Sequence, residues 1–83
     1  MEELTTTEKR IFDFIVKFIK ENGYSPTFRE VGAGTYLTST QTIYAYLQKL
    51  ALKGYIRYEY GKARTIRIME RSEENEREEL KTN

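Results

Sequence analysis

A run of hydrogen-bonding side chains follows Ser39 and contains residue types that can contact the edges of nucleic-acid bases. Gln41, Thr42, Tyr44 and Ala45 combine amide, hydroxyl and small apolar groups, and no acidic residue interrupts them. Gln can bind adenine through two hydrogen bonds, and Ala or the Thr methyl group can contact the methyl group of thymine. The pattern is typical of a DNA-reading helix, but an ordinary solvated helix face would show it too.

A second group of side chains, cationic and close to Gly61, has the chemistry of phosphate contacts. Lys62 and Arg64 follow this glycine, and Arg57 and Arg67 flank it. A basic β-ribbon beside a recognition helix forms the wing of a winged helix-turn-helix, where it contacts DNA phosphates. The alternative is a solvated hairpin whose Lys and Arg side chains protect its edges from pairing with another chain.

Catalysis and metal binding have few candidate residues. The 83 residues include no Cys, His or Trp. Disulfides, thiolate zinc sites and Cys/His catalytic pairs are therefore excluded, as is the usual side chain for proton transfer near pH 7. The length allows one domain with a modest core. We predict a protein that is not an enzyme and that needs no metal and no cofactor.

The net charge of +1 hides an asymmetry along the chain. Residues 1–71 contain 12 basic and 8 acidic side chains, which gives +4, whereas residues 72–83 contain 2 basic and 5 acidic ones, which gives −3. The acidic segment has one apolar residue, Leu80, which is too little to offset the entropy of ordering it. We predict a domain over residues 1–71 and a disordered tail or frayed helix over residues 72–83.

The sequence also predicts where the protein resides. The stretch after Met1 is acidic and lacks the basic region of a signal peptide. The most apolar run, residues 11–19, is interrupted by Asp13 and Lys17, and it is far shorter than the ~20 apolar residues that span a bilayer. A chain without cysteine or a signal peptide is predicted to be cytoplasmic, with no membrane contact.

The first helix has a clear beginning and end. Thr5 and Glu8 have the spacing of a capping box. Ile11 and Ile15 fall on one helical face, which predicts a core helix. Gly23 is a typical C-terminal cap.

The second helix is predicted to be short and weak. Thr27 and Glu30 repeat the capping-box spacing. Gly32 and Gly34 follow, and each costs up to about 1 kcal/mol relative to Ala in a helix interior. We expect Gly34 to end the helix.

A third helix is predicted over residues 40–53, between the cap Ser39 and the glycine Gly54. From residue 55 to residue 69 the apolar period changes to two, with a turn at residues 61–63, which predicts a β-hairpin. Its tyrosines could stack on sugars or bases, but packing across the strands is the favoured interpretation for Tyr55, Tyr58 and Tyr60. The element order predicts a mainly α fold with a small antiparallel β-hairpin, a winged helix-turn-helix of three helices plus a wing.

Several ordered motifs point to one family. They are Leu4-Thr5, Ile11-Phe12-Asp13-Phe14-Ile15, Gly23-Tyr24-Ser25-Pro26-Thr27, Arg29-Glu30-Val31-Gly32, Leu47-Gln48-Lys49-Leu50, Lys53-Gly54-Tyr55-Ile56 and Arg64-Thr65-Ile66-Arg67-Ile68. Taken together, without a gap from Met1 to Met69, this set resembles the N-terminal DNA-binding domain of the LexA repressor family. The resemblance implies a winged helix-turn-helix that binds operators in transcriptional repression.

The resemblance also implies the site residues. The family's base-reading positions are occupied here by Ser39, Gln41, Thr42, Tyr44 and Ala45. Contacts to the DNA backbone are assigned to Thr27, Thr40, Gln48, Lys49, Lys62 and Arg64. The bulky Tyr44 and the absence of acids on this face imply a target sequence that differs from the usual LexA operator.

Three departures from the family pattern bear on these expectations. Thr35 stands where the family usually buries an apolar residue, and Tyr36 stands where it usually has Gly, so the turn and the reading register could be shifted. The family's downstream Ser-Lys peptidase domain dimerises the repressor and cuts an Ala-Gly bond in a hinge. This sequence ends near that hinge, and its own Ala33-Gly34 pair lies within the helix-turn-helix, so self-cleavage is not expected. The tail is also more acidic than a DNA-binding extension should be.

The sequence therefore predicts a regulator that binds double-stranded DNA specifically and represses transcription, with its third helix in the major groove and its wing on the phosphate backbone. Two copies on a two-half-site operator are expected, since one small module buries little DNA surface. The alternative is a winged-helix module that binds another protein, such as a host regulator or polymerase.

Overall fold

A computed structural model describes residues 3–69 as three helices followed by a two-stranded antiparallel sheet. The elements are α1 (Thr6–Asn22), α2 (Phe28–Thr35), α3 (Thr40–Leu52), β1 (Ile56–Arg57) and β2 (Arg67–Ile68). This order confirms the predicted mainly α, winged helix-turn-helix architecture. The tail predicted over residues 72–83, and the boundary before it, lie outside the described residues.

Helix α1 begins as its capping box predicts. The Thr5 hydroxyl accepts from the Glu8 amide at 3.2 Å, and the Glu8 carboxylate accepts from the Thr5 amide at 2.9 Å. The helix ends at Gly23, whose amide donates to the Ile19 carbonyl at 2.8 Å. Local hydrogen bonds thus fix both ends of a helix whose inner face carries the buried Ile11.

Helix α2 is longer than predicted, because Gly34 lies inside it and does not end it. A Cβ atom at Gly34 would overlap the ring of Phe14 on α1, so the glycine allows the two helices to pack closely. The helix ends instead at Tyr36, which adopts the left-handed conformation (φ 64°) and donates its amide to the Gly32 carbonyl. The expectation about Gly34 was wrong because it weighed helix propensity without this long-range packing.

The turn between α2 and α3 has the left-handed residue at Tyr36, where the resemblance places Gly. Thr35 is buried as the family's apolar residue would be, and its hydroxyl is paired because it donates to the Val31 carbonyl at 2.7 Å. The Leu37 amide donates to the Gly32 carbonyl at 2.9 Å and brings the chain back across α2. A polar residue and a non-glycine residue are therefore both accommodated within a short helix-turn-helix turn.

Helix α3 begins after Ser39, whose hydroxyl accepts from the Thr42 amide at 3.3 Å. It ends at Leu52, one residue before the predicted end, and Lys53 is its C-terminal cap. Leu52 itself is 81% exposed.

The hairpin has a shorter ladder than the sequence alternation indicated. Only Ile56 with Ile68 and Arg57 with Arg67 pair across it. Side-chain hydrogen bonds hold the loop between them, since the Thr65 hydroxyl accepts from the Glu59 amide at 2.9 Å. We call residues 56–68 the wing.

The core lies between the three helices and the wing. Its buried hydrophobic residues are Ile11, Ile15, Val31, Ile43, Leu47, Leu50, Ile56 and Ile66. Every element contributes to it except β2, so burial of the wing's Ile56 and Ile66 fixes the wing against the helices. No helix within residues 3–69 has the length and apolar content needed to cross a membrane.

Candidate nucleic-acid interface

The outer face of α3 is polar and exposed. Gln41, Ala45 and Gln48 follow one another at helical spacing on this face, and all three are exposed. Lys49 is also exposed, and its ammonium lies 5.6 Å from the centre of the Tyr46 ring. Residues 40–52 contain no acidic side chain. This face therefore offers hydrogen-bonding groups and one cation without repelling an anionic partner.

The N-terminal end of α3 carries three more of the predicted residues. Ser39 and Thr40 are exposed, and Thr42 is half-buried. The Ser39 hydroxyl oxygen accepts from the Thr42 amide, which leaves the hydroxyl hydrogen available as a donor. The structure thus brings together all five residues predicted to read bases. Ser39 is the N-terminal cap of α3, and the other four, Gln41, Thr42, Tyr44 and Ala45, lie on the helix.

Tyr44 differs from the other residues predicted to read bases because its ring packs against other aromatic rings. Its ring centre lies 4.6 Å from that of Phe28 on α2, in an edge-to-face arrangement, and 5.8 Å from that of Tyr60 in the wing. Phe28 also packs against Tyr58 at 5.2 Å. We call these four rings the aromatic cluster. It joins α2, α3 and the wing at the surface that carries the predicted base-reading residues.

The tyrosines of the hairpin pack on aromatic rings of the helices, whereas the favoured interpretation was packing across the strands. Tyr55 packs edge-to-face on Phe12 of α1 at 5.4 Å. Burial, together with the nearby Tyr44 and Tyr60, raises the pKa of the Tyr58 hydroxyl above its ordinary value, so the hydroxyl stays neutral at physiological pH. Tyr60 is 81% exposed despite its contact with Tyr44.

Two open grooves border the face of α3. The larger one, with a volume of about 470 Å³, lies between α2 and the start of α3. It is lined by Phe28, Arg29, Gly32, Ala33, Leu37, Thr38, Thr40, Ile43 and Tyr44. Arg29 is exposed and forms no ion pair with any other residue of the 3–69 segment. It is a functional candidate that the sequence analysis missed, and its position in the first turn after the cap Thr27 was the available signal.

The smaller groove, of about 210 Å³, lies between α2, α3 and the tip of the wing. It brings together Thr27, Tyr44 and Lys62, which the sequence analysis assigned to the interface from three separate segments. The Lys62 side chain is 72% exposed and lies 3.4 Å from the Glu59 carboxylate within the same wing. This contact between two exposed side chains is weak, so the ammonium is accessible at the groove.

Arg64, unlike Lys62, does not line either groove. It adopts the left-handed conformation (φ 57°), and its guanidinium turns away from the wing tip toward α2. It donates two hydrogen bonds to the Glu30 carboxylate, each 3.1 Å, and one to the Ser25 carbonyl at 2.9 Å. It also lies 4.8 Å from the centre of the Tyr24 ring. The backbone-contact role assigned to Arg64 stays a prediction, and the structure gives this side chain partners within the protein.

Glu30 completes this arrangement. Its hydrogen bond from the Thr27 amide, and secondly those from Arg64, lower the pKa of the Glu30 carboxyl below its ordinary value. The carboxylate is therefore ionised at physiological pH.

Within the described part of the chain, no three His, Cys, Asp or Glu residues form a group that could hold a metal ion.

Comparison with known proteins agrees with this geometry. The family model named LexA DNA binding domain matches residues 1–65. The LexA repressor of Pelotomaculum thermopropionicum is 41% identical over 69 residues, which is 83% of this chain and 34% of that protein. The LexA repressor of Caldicellulosiruptor saccharolyticus is 44% identical over 69 residues, with the same shares. That of Clostridium kluyveri is 37% identical over 75 residues, which is 90% of this chain and 37% of that protein.

The chain thus spans about a third of the length of the curated relatives that it matches. The match covers nearly all of residues 3–69 and contains the three helices, the cationic wing tip and the acid-free face of α3. From its sequence, its fold and this match, the chain belongs to the LexA DNA-binding domain family.

Proposed function

We propose that this chain is the DNA-binding part of a transcriptional repressor and that it binds double-stranded DNA with α3 in the major groove. The observation that carries the proposal is the exposed, acid-free face of α3, bordered by two grooves with cationic side chains. On this face Gln41 and Ala45 would contact base edges, since amide and methyl groups suit adenine and thymine. Ser39, Thr42 and Tyr44 would contribute at the start of the helix.

The DNA backbone would lie along the two grooves. Lys62 and Thr27 border one groove, and Thr40 borders the other. Gln48 and Lys49 extend the same face toward the end of α3. Arg29 adds an accessible guanidinium, which is well suited to a phosphate. Contacts of this kind position the protein on DNA without reading sequence, whereas the α3 contacts specify the site.

Two copies on a two-half-site operator would give the required specificity. A single small module buries only about 600–1,000 Å² of protein surface on DNA. The relatives that match are called LexA repressors, and repression by this chain follows as part of the same proposal.

Selection of bound duplexes from a random pool at near-physiological salt tests the proposal. We expect a consensus sequence with two inverted half-sites. If no sequence is enriched, the alternative of a protein-binding winged helix is favoured instead.

Two variants and one control separate base reading from phosphate contact on the selected duplex. Gln41→Ala should relax the preference at one base position and leave binding to unrelated duplexes unchanged. Lys62→Ala should weaken all duplexes equally and lower the magnitude of the negative slope of log K against log salt by about 0.9. Lys17→Ala, on the exposed face of α1 and outside both grooves, should change neither quantity. A Gln41→Ala variant that weakens every duplex to the same extent would contradict the base-reading role.

A further inference from the structure

Two residues near the end of the wing, Arg64 and Ile66, attach it to the first turn of α2 and to the segment before that helix. Arg64 contacts Glu30, the Ser25 carbonyl and the Tyr24 ring, as described above. The Ile66 amide donates to the Ser25 hydroxyl at 3.1 Å, and that hydroxyl in turn donates to the Pro26 carbonyl at 3.1 Å. The bonds that Arg64 and Ile66 donate to Glu30 and Ser25 join residues that are 34 to 41 positions apart in the chain.

Arg64 and Lys62 therefore do different things, although they lie two residues apart. The partner of Lys62 lies within the wing, so that pair does not connect the wing to the helices. Arg64 uses both terminal nitrogens on one carboxylate, a two-point geometry that fixes the direction of the side chain. It does so from a left-handed backbone that is unfavourable for a non-glycine residue, which its contacts must offset.

We propose that Arg64 is a positioning residue, which with Glu30 holds the wing at the angle from which Lys62 contacts the DNA backbone, and that it neutralises no phosphate itself. This inference rests on the proposed function. Glu30 is an anion close to the DNA-facing grooves, and in this assignment it is needed for binding because it anchors Arg64.

The charges make the two possible roles of Arg64 distinguishable. If Arg64 bound a phosphate, removing the charge of Glu30 would release the guanidinium and remove a repulsive anion, so DNA binding would tighten. If Arg64 positions the wing, removing either partner loosens the tip of the wing, although Ile56 and Ile66 remain buried in the core, so both changes weaken binding. Glu30→Gln suits this test, because Gln also completes a capping box with Thr27 and preserves the start of α2.

The experiment measures the affinity of wild type, Arg64→Gln, Glu30→Gln and the double variant for the selected duplex over a range of salt concentrations. We expect each single variant to bind about threefold more weakly, which corresponds to loss of one exposed two-point ion pair. The double variant should bind no more weakly than either single variant, because the two residues act as a unit. The magnitude of the salt slope should stay at the wild-type value in all three, because the bound complex still forms the Lys62 contact and only the cost of ordering the wing is added, whereas Lys62→Gln should lower that magnitude by about 0.9.

Hydrogen exchange supplies a second readout. The Ile66 amide should exchange faster in both single variants, since its bond to Ser25 depends on the same attachment of the wing. Tighter binding by Glu30→Gln, or a salt slope whose magnitude falls by about 0.9 in Arg64→Gln, would overturn the inference and leave the proposed function intact. Unchanged affinity of the folded single variants would overturn it as well. If wild type binds no duplex, the proposed function itself fails and the inference fails with it.

Discussion

The ion pair between Glu8 and Lys53 connects the start of α1 to the end of α3, and its removal should destabilise the domain. The Lys53 ammonium lies 2.6 Å from the Glu8 carboxylate and 3.1 Å from the Glu3 carbonyl. The Glu8 side chain is 3% exposed and that of Lys53 is 18% exposed. Breaking a fully buried pair costs about 3–5 kcal/mol. Because the lysine can still reach water, we expect Glu8→Gln to lower the free energy of unfolding by about 2 kcal/mol.

This loss is measurable by thermal and urea unfolding followed by circular dichroism at pH 7. For a domain of this size, about 2 kcal/mol corresponds to a fall in Tm of about 10 °C. Gln at position 8 can still accept from the Thr5 amide, so the variant isolates the charge. The control is Asp13→Asn, which breaks the exposed pair between Lys9 and Asp13 at 3.2 Å and should cost less than about 0.5 kcal/mol. Equal losses in the two variants would refute the argument from burial.

The same pair predicts the direction of the pH dependence. The hydrogen bond from Lys53, and secondly that from the Thr5 amide, lower the pKa of the Glu8 carboxyl below its ordinary value of 4.5. A group whose pKa is lowered by folding contributes stability above its unfolded pKa and loses it as the pH falls through the folded pKa. Wild type should therefore lose more stability than Glu8→Gln between neutral pH and acidic pH. If both proteins lose the same free energy of unfolding over this pH range, the Glu8–Lys53 pair is not the cause of the acid sensitivity.

Two further predictions concern the helix-turn-helix turn. Gly32→Ala should lower the free energy of unfolding by about 1 kcal/mol despite the better helix propensity of Ala. The reason is that the new Cβ would lie 3.0 Å from the Leu37 carbonyl oxygen and would overlap the Ile43 side chain. Urea unfolding measures this change, and a variant more stable than wild type would contradict the close packing. Tyr36→Gly should raise the free energy of unfolding by about 0.5 kcal/mol, because Gly adopts the left-handed conformation without a Cβ clash and the side chain that is lost is 89% exposed. A variant less stable than wild type in the same urea experiment would show that the Tyr36 ring makes contacts that its exposure does not indicate.

Capping boxes and apolar periodicity predicted the helices and the hairpin well, because each of these patterns depends only on residues close together in the chain. The capping boxes at Thr5 and Thr27 use partners three residues away, so the sequence alone places both helix starts. The change of apolar period after Gly54 likewise places the hairpin. Gly34 was misjudged because the reason for a glycine there is the ring of Phe14, twenty positions earlier on another helix.

The sequence predicted which residues lie at the candidate site, but it did not predict their contacts with residues of other elements. The face of α3 follows from helical spacing, and the structure groups its residues as expected. The partner of Arg64 could not be predicted, because Glu30 lies 34 residues away and already had a local role in its capping box. The link from Tyr44 to Phe28 and Tyr60 was hidden for the same reason, since periodicity places a side chain on a face but does not specify its neighbours.

The aromatic cluster has a consequence for redesign of this domain. Because Tyr44 packs against rings supplied by α2 and the wing, its orientation is not a property of α3 alone. Transplanting the outward-facing residues of α3 onto another winged helix would carry the tyrosine without Phe28 and Tyr60, which hold its ring. The orientation of Tyr44 is therefore not a modular property of α3, and a transferable unit must include one ring from each of the three elements.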